Sequence, residues 1–177
     1  MLRTIILLTT LIPLSMTTHA QDTKTLVAYF SATGTTEAVA KRIARLSQAD
    51  FFAIQPAQPY TDADLDWTNK QSRTSVEMNN PDSRPALLAT CPAMDRYDTL
   101  YIGYPIWWYV APHIINTFIE SHDLTDKVII PFATSGSSPV GPTVEALREQ
   151  YPHLDIRDGR LLNRANDATV KAWIDEQ

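Results

Sequence analysis

Six residues that follow the apolar run 25–30 have the side chains and spacing of an anion-binding loop. They are Ser31, Ala32, Thr33, Gly34, Thr35 and Thr36. Four of them carry a hydroxyl group, and the glycine allows a ligand to approach the backbone closely. The free N–H groups of the helix predicted to begin here would add further donors. We expect this first loop to bind a phosphate group; the alternative is an ordinary helix cap, which needs only one hydroxyl.

A second loop places three consecutive aromatic residues after another apolar run, where polar residues are usual. Its residues are Pro105, Ile106, Trp107, Trp108 and Tyr109. Flat aromatic faces are suited to stacking on a planar ring, so we expect a planar ligand here. The alternative is that one tryptophan covers the core beneath the proline-rich segment 56–85.

A third loop again offers hydroxyl groups and backbone amides, from Thr134, Ser135, Gly136 and Ser137 up to Ser138. Its glycine spacing continues to Gly141 as in an NTP-binding P-loop, but Pro142 occupies the position of the required lysine. The sequence therefore excludes that motif. It also lacks three glycines at the spacing of a dinucleotide-binding fingerprint.

The elements that position these loops alternate between strand-like and helix-like patterns. Strands are predicted at 25–30, 51–54, 99–103, 128–133 and within 154–162, and helices at 36–46, 64–78, 111–121, 144–151 and 165–174. Buried runs between amphipathic helices indicate a parallel sheet covered on both faces. In such doubly wound sheets, ligands bind beyond the carboxyl ends of the strands, where all three loops fall.

The three loops in this order resemble the flavodoxin family, in particular short members with a paired tryptophan after the third strand. The likeness covers about residues 24–175. It implies a three-layer, doubly wound α/β fold whose five-stranded parallel sheet has the order 2-1-3-4-5. It also implies that the protein binds FMN, with the phosphate on the first loop and the isoalloxazine between the second and third loops.

Two features differ from the family pattern. Flavodoxins commonly have a glycine in the second loop whose peptide flips to bond N5 of the reduced flavin, whereas residues 104–110 contain none. They also often supply an aromatic side chain from the third loop, and none lies between Phe132 and Tyr151. The resemblance therefore extends to FMN binding and not to stabilisation of a one-electron semiquinone.

Composition limits the remaining functional classes. The chain has 177 residues, of which 44% are hydrophobic, and 15 Lys and Arg against 20 Asp and Glu give a net charge of −5. An acidic chain without a basic run is unsuited to nucleic acid. The single cysteine, Cys91, excludes an internal disulfide and a cysteine-cluster zinc site. The alternating Asp62, Asp64 and Asp66 are interpreted as a solvated helix start, so no metal site is expected.

The first 20 residues have the features of a secretory signal peptide. Arg3 precedes an apolar run over residues 5–14, and small residues Thr18 and Ala20 flank a cleavage site. Because this run is shorter than the ~20 residues of a membrane span, no stable span is expected after cleavage. We therefore predict a signal peptide at 1–20, in preference to an uncleaved anchor or a buried first helix. The single domain at 21–177 is then exported unfolded to a bacterial periplasm or secreted.

Three functions are consistent with this sequence. The first is an exported FMN protein that transfers electrons between redox partner proteins or to small-molecule acceptors. The second is an FMN-dependent reductase of small molecules such as quinones, with NAD(P)H as donor. The third is a non-redox module that binds another phosphate ligand. No catalytic residue is predicted: His113, near the second loop, is interpreted as a surface histidine.

Overall fold

The computed structural model of the protein describes residues 24–177. The predicted signal peptide at 1–20 lies outside the described residues. The strands are β1 (Thr25–Tyr29), β2 (Asp50–Ala53), β3 (Thr99–Pro105), β4 (Val128–Thr134), β5 (Asp155–Ile156) and β6 (Arg160–Leu161). All pairings are parallel, and the order β2-β1-β3-β4-β5 confirms the predicted topology.

The predicted fifth strand is divided into two short pieces that both pair with β4. Ile156 lies opposite Ile129, and Arg160 lies opposite Phe132. Because the edge strand has one residue more than β4 between these two pairings, it bulges over the segment 157–159. This edge belongs to the same sheet that was predicted as five strands.

Helices cover both faces of the sheet, so the domain has three layers. They are α1 (Thr35–Ser47), α2 (Arg73–Asn79), α3 (His113–Glu120), α4 (Gly141–Gln150) and α5 (Asp167–Asp175). Ile43 of α1 and Trp173 of α5 belong to the core on one face. Phe118 of α3 and Leu147 of α4 belong to the core on the other. The central strands β1, β3 and β4 are buried almost throughout, as their continuous apolar runs predict.

The helix predicted over 64–78 is wrong for most of its length, because α2 begins only at Arg73. Short polar side chains before it bond to nearby backbone N–H groups and so compete with helix formation. Asp64 accepts from the N–H of Thr61 at 2.9 Å, and Asp66 accepts from the N–H of Thr68 at 3.0 Å. These aspartates therefore stabilise turns and do not start a helix. Residues 24–177 contain no group of three His, Cys, Asp or Glu side chains placed to hold a metal ion.

Parallel strands bring their carboxyl ends, and the loops that follow them, to one edge of the sheet. Gly103 of β3 is required at this edge because the ring of Phe132 on the neighbouring β4 occupies its side-chain space. A Cβ atom at Gly103 would lie 2.1 Å from that ring. Close packing of β3 on β4 thus sets the separation of the second and third loops.

Candidate functional site

A cleft of about 1160 Å³ opens at the carboxyl edge of β1, β3 and β4. The structure brings the three predicted loops together around it. Fourteen of the fifteen predicted site residues line the cleft: Ser31, Ala32, Thr33, Thr35, Thr36, Pro105, Ile106, Trp107, Trp108, Tyr109, Thr134, Ser135, Gly136 and Ser137. The remaining one, Gly34, does not line the cleft and instead shapes the turn into α1.

The first loop presents an uncapped helix end to the cleft. Gly34 is the residue before α1, and its φ of 85° lies in the left-handed region that glycine adopts without strain. No side chain in the described residues 24–177 forms a cap hydrogen bond there, although hydroxyl groups surround it. The first-turn N–H groups, which lack partners within the helix, are therefore available to an anion. The alternative prediction of an ordinary helix cap does not describe this geometry.

The hydroxyl groups of the first loop differ in their surroundings. Those of Thr33 and Thr35 are exposed and lie 3.4 Å apart. The hydroxyl of Thr36 is buried and forms a 2.8 Å hydrogen bond with the buried hydroxyl of Thr134. This bond joins the first loop to the third across 98 residues of sequence. Thr36 and Thr134 thus hold the two loops together, while Thr33 and Thr35 face outward.

The two tryptophans of the second loop occupy different environments. The ring of Trp107 makes edge-on contacts with Phe30 and Tyr60, each with ring centroids 5.5 Å apart. Tyr60 belongs to the proline-rich segment and is bonded to Glu77; its burial and this carboxylate raise its pKa well above the ordinary value. Trp107 therefore covers the core beneath that segment while one part of it lines the cleft. Trp108 is 43% exposed and is free to face a ligand.

Trp108 and Tyr109 form the centre of a two-residue turn with an uncommon backbone. Their φ angles are 47° and 68°, both in the left-handed region. The N–H of Trp107 donates to the carbonyl of Val110 and the N–H of Val110 donates to the carbonyl of Trp107, both at 3.0 Å. This is the pattern of a type I′ hairpin turn, which usually contains Asn or Gly. The turn projects two aromatic side chains, and Tyr109 is 64% exposed.

The third loop uses several of its predicted donors internally. The N–H groups of Ser137 and Ser138 donate to the Ser135 hydroxyl at 3.2 and 2.8 Å. The Ser135 N–H donates to the side-chain oxygen of Asn163 at 2.9 Å, and the Asn163 amide donates back to the Ser135 carbonyl. The loop is consequently a braced wall of the cleft. It offers fewer free backbone amides than the sequence suggested.

Ser138, at the end of the predicted third loop, also lines the cleft, as do five residues that sequence reasoning missed: Leu65, Trp67, Thr74, Asn163 and Arg164. The indole of Trp67 is 74% exposed, in a segment that is otherwise polar. A tryptophan among aspartates in a proline-rich segment was the available signal. Arg164 gave no comparable signal, because only the fold brings it beside the third loop.

His113 and Cys91, to which the sequence assigned no role in ligand binding, lie away from the cleft. His113, at the start of α3, does not line it; the Nδ1 atom is buried without a hydrogen-bond partner in the described part of the chain. Burial lowers the pKa of His113 below its ordinary value. Cys91 is buried, and its N–H donates to Nε2 of His122 at 2.9 Å. Both residues belong to the structural part of the domain.

Topology and cleft together define a doubly wound α/β protein with a ligand site at the carboxyl edge of its sheet. A family model described as flavodoxin matches residues 24–177. The chain belongs to the flavodoxin family.

Solved structures agree with this assignment. A candidate flavoprotein from Bacteroides eggerthii DSM 20697 is 52% identical, with a TM-score of 0.85, over 88% of this chain and 98% of that one. Another from Bacteroides uniformis ATCC 8492 is 56% identical, with a TM-score of 0.85, over 86% and 98%. A flavoprotein from Lactobacillus acidophilus NCFM, solved in complex with FMN, shares the fold at 19% identity and a TM-score of 0.65, over 86% and 99%. Among curated proteins, none matches the chain.

Proposed function

We propose that this protein binds FMN in the cleft and is an exported electron-transfer flavoprotein. The observation that carries the proposal is the uncapped start of α1, which faces a cleft that aromatic side chains also line. A phosphate at a helix start gains from both the free N–H groups and the helix dipole. Membership of the flavodoxin family and the FMN complex of the Lactobacillus acidophilus flavoprotein support the same ligand.

The residues present fit the two ends of FMN. The N–H groups that follow Gly34 and the exposed hydroxyls of Thr33 and Thr35 would hold the phosphate. Trp108 would stack on the isoalloxazine, since Trp107 is engaged by Phe30 and Tyr60. When bound, FMN supplies reversible redox chemistry, and the protein supplies binding, orientation and the local charge.

Export and electron transfer rest on different features. The signal-like residues 1–20 support a periplasmic or secreted location, with FMN acquired after the chain folds outside the cytoplasm. The exposed rim of the cleft supports electron exchange with redox partner proteins or small-molecule acceptors. None of the helices in residues 24–177 combines the length and apolar character that crossing a bilayer requires.

A second candidate function is reduction of small molecules at the flavin. The cleft volume, about 1160 Å³, exceeds the ~300–1000 Å³ of ordinary ligand pockets. This leaves room for a planar acceptor such as a quinone beside the cofactor, near the exposed rings of Trp67 and Tyr109. Oxidation of NAD(P)H by the purified FMN-loaded protein would favour this candidate over an electron carrier that needs a protein donor.

Phosphate selectivity tests the cofactor assignment. We expect the purified protein to bind FMN more tightly than riboflavin, in titrations followed by flavin fluorescence. Thr33→Ala should weaken FMN by roughly 1.5–3 kcal/mol, the value of a hydrogen bond to a charged group, and leave riboflavin almost unchanged. Thr125→Ala, an exposed threonine at the opposite end of β4, is the matched control. If Thr33→Ala weakens the binding of FMN and of riboflavin equally, Thr33 supports the fold and not the phosphate. If the wild-type protein binds neither flavin, the third function, a non-redox module, is favoured.

Fractionation of a bacterial host tests export. The full-length chain should yield a shortened protein outside the cytoplasm, and a variant without residues 1–20 should stay inside. Retention of the full-length chain in the cytoplasm, at its original mass, would contradict the signal-peptide prediction.

A further inference from the structure

The charge distribution around the cleft is one-sided. Among the cleft-lining residues within 24–177, Arg164 is the only one with a formal charge, and none is Asp or Glu. The chain as a whole has more acidic than basic residues, 20 against 15. A cleft without acidic residues in an acidic protein is favourable for an anion, and Arg164 is the point where that preference is concentrated.

The sheet places Arg164 next to the third loop. It follows β6, which pairs with β4, so the order of strands at this edge is β1, β3, β4 and β6. The preceding residue, Asn163, is bonded to both backbone groups of Ser135. Arg164 therefore lies beside the third loop, where the ring end of the cofactor is expected.

The side chain of Arg164 is not committed to another partner. Within residues 24–177 it takes part in no ion pair and in no side-chain hydrogen bond, whereas Arg148 and Arg157 in the same part of the fold are paired with carboxylates. Its φ of 54° is left-handed, a conformation that costs a non-glycine residue energy and that is found at functional sites. An exposed, unpaired guanidinium at the mouth of the cleft is free to act on a ligand.

We propose that Arg164 sets the redox preference of the cofactor by holding a positive charge beside the isoalloxazine. The inference rests on the proposed binding of FMN. Two electrons and one proton convert the neutral oxidised ring into an anion, and a nearby fixed charge favours that anion over the neutral ring. The phosphate has the same charge in both redox states. A charge at the ring thus acts on reduced FMN alone, whereas a charge at the phosphate acts on both states.

The affinities for oxidised and for reduced FMN distinguish an arginine beside the ring from an arginine beside the phosphate. FMN is titrated in its oxidised form and, anaerobically, after reduction with dithionite, against the wild type, Arg164→Gln and Arg160→Gln. Arg160 is the matched control because it belongs to the adjacent strand β6 and does not line the cleft. We expect Arg164→Gln to weaken reduced FMN about tenfold and oxidised FMN little, and Arg160→Gln to change neither. A tenfold fall in the affinity for reduced FMN relative to oxidised FMN lowers the two-electron potential of bound FMN by about 30 mV.

Further variants test whether charge is the cause. Arg164→Lys should retain the preference for reduced FMN, and added salt should diminish it, since the side chain is exposed. Equal weakening of both redox states by Arg164→Gln, with riboflavin unaffected, would move the arginine to the phosphate and overturn the proposal. Unchanged binding of both states would also overturn it. If the wild type binds no FMN in either state, the proposed function itself fails, which is a separate result.

Discussion

Removal of the hydroxyl group of Thr36 should destabilise the protein through its partner. Thr36 and Thr134 are both buried, and each forms its side-chain hydrogen bond, 2.8 Å long, with the other. Thr36→Val preserves the shape and leaves the Thr134 hydroxyl buried without this partner, which costs about 1–3 kcal/mol. For a domain of this size, 1 kcal/mol corresponds to ~2–4 °C, so Tm should fall by roughly 2–12 °C.

The double variant and a binding assay make the reasoning testable. Thr36→Val combined with Thr134→Val should be close to wild type, because no hydroxyl is then left unpaired. The exposed pair Thr33 and Thr35 is the matched control, and valine at both should change stability by no more than about 0.5 kcal/mol. Thermal unfolding of the apoprotein measures all of these. Additive losses in the buried pair, or an unchanged Tm with FMN affinity alone reduced, would refute the structural role of Thr36.

Three further predictions concern other parts of the domain. Gly103→Ala should destabilise it by about 1–3 kcal/mol in chemical unfolding, because its Cβ would overlap the Phe132 ring, and Phe132→Leu should recover part of the loss. Trp67→Ala should weaken FMN by about 0.5–1.5 kcal/mol in a fluorescence titration without lowering Tm, whereas Leu88→Ala, also exposed but outside the cleft, should change neither. Burial lowers the pKa of His113, so the unfolded state binds a proton more readily than the folded state. The free energy of unfolding should therefore fall as pH drops through ~6.5. His113→Gln should flatten this dependence in thermal melts recorded from pH 8 to 5.

The sequence pattern was sufficient to predict the sheet because its central strands are buried on both faces. β1, β3 and β4 are continuous apolar runs, whereas their order in the sheet was implied by the family resemblance alone. The edge of the sheet was less predictable. A single last strand was predicted within 154–162, but its division into two short segments with a bulge between them has no pattern long enough to detect.

Residues of the cleft were predictable where a loop directly follows a central strand. Trp67 and Arg164 were missed because no local pattern links them to the strand ends; tertiary packing alone brings them there. The helix predicted over 64–78 failed for a local reason. The side chains of Asp64 and Asp66 bond the backbone in turns, and apolar spacing does not report this competition.

The second loop replaces a flexible glycine turn with a rigid aromatic one. Reversing the peptide between Trp108 and Tyr109 would convert the type I′ turn into type II′, whose first central position requires glycine. Trp108 occupies that position, so the reversal is disfavoured and the two hydrogen bonds between Trp107 and Val110 keep the existing turn. Because this loop keeps the same hydrogen bonds in both redox states, other groups that line the cleft determine whether the bound ring favours the oxidised or the reduced state. Among the described residues that line the cleft, Arg164 alone carries a full charge.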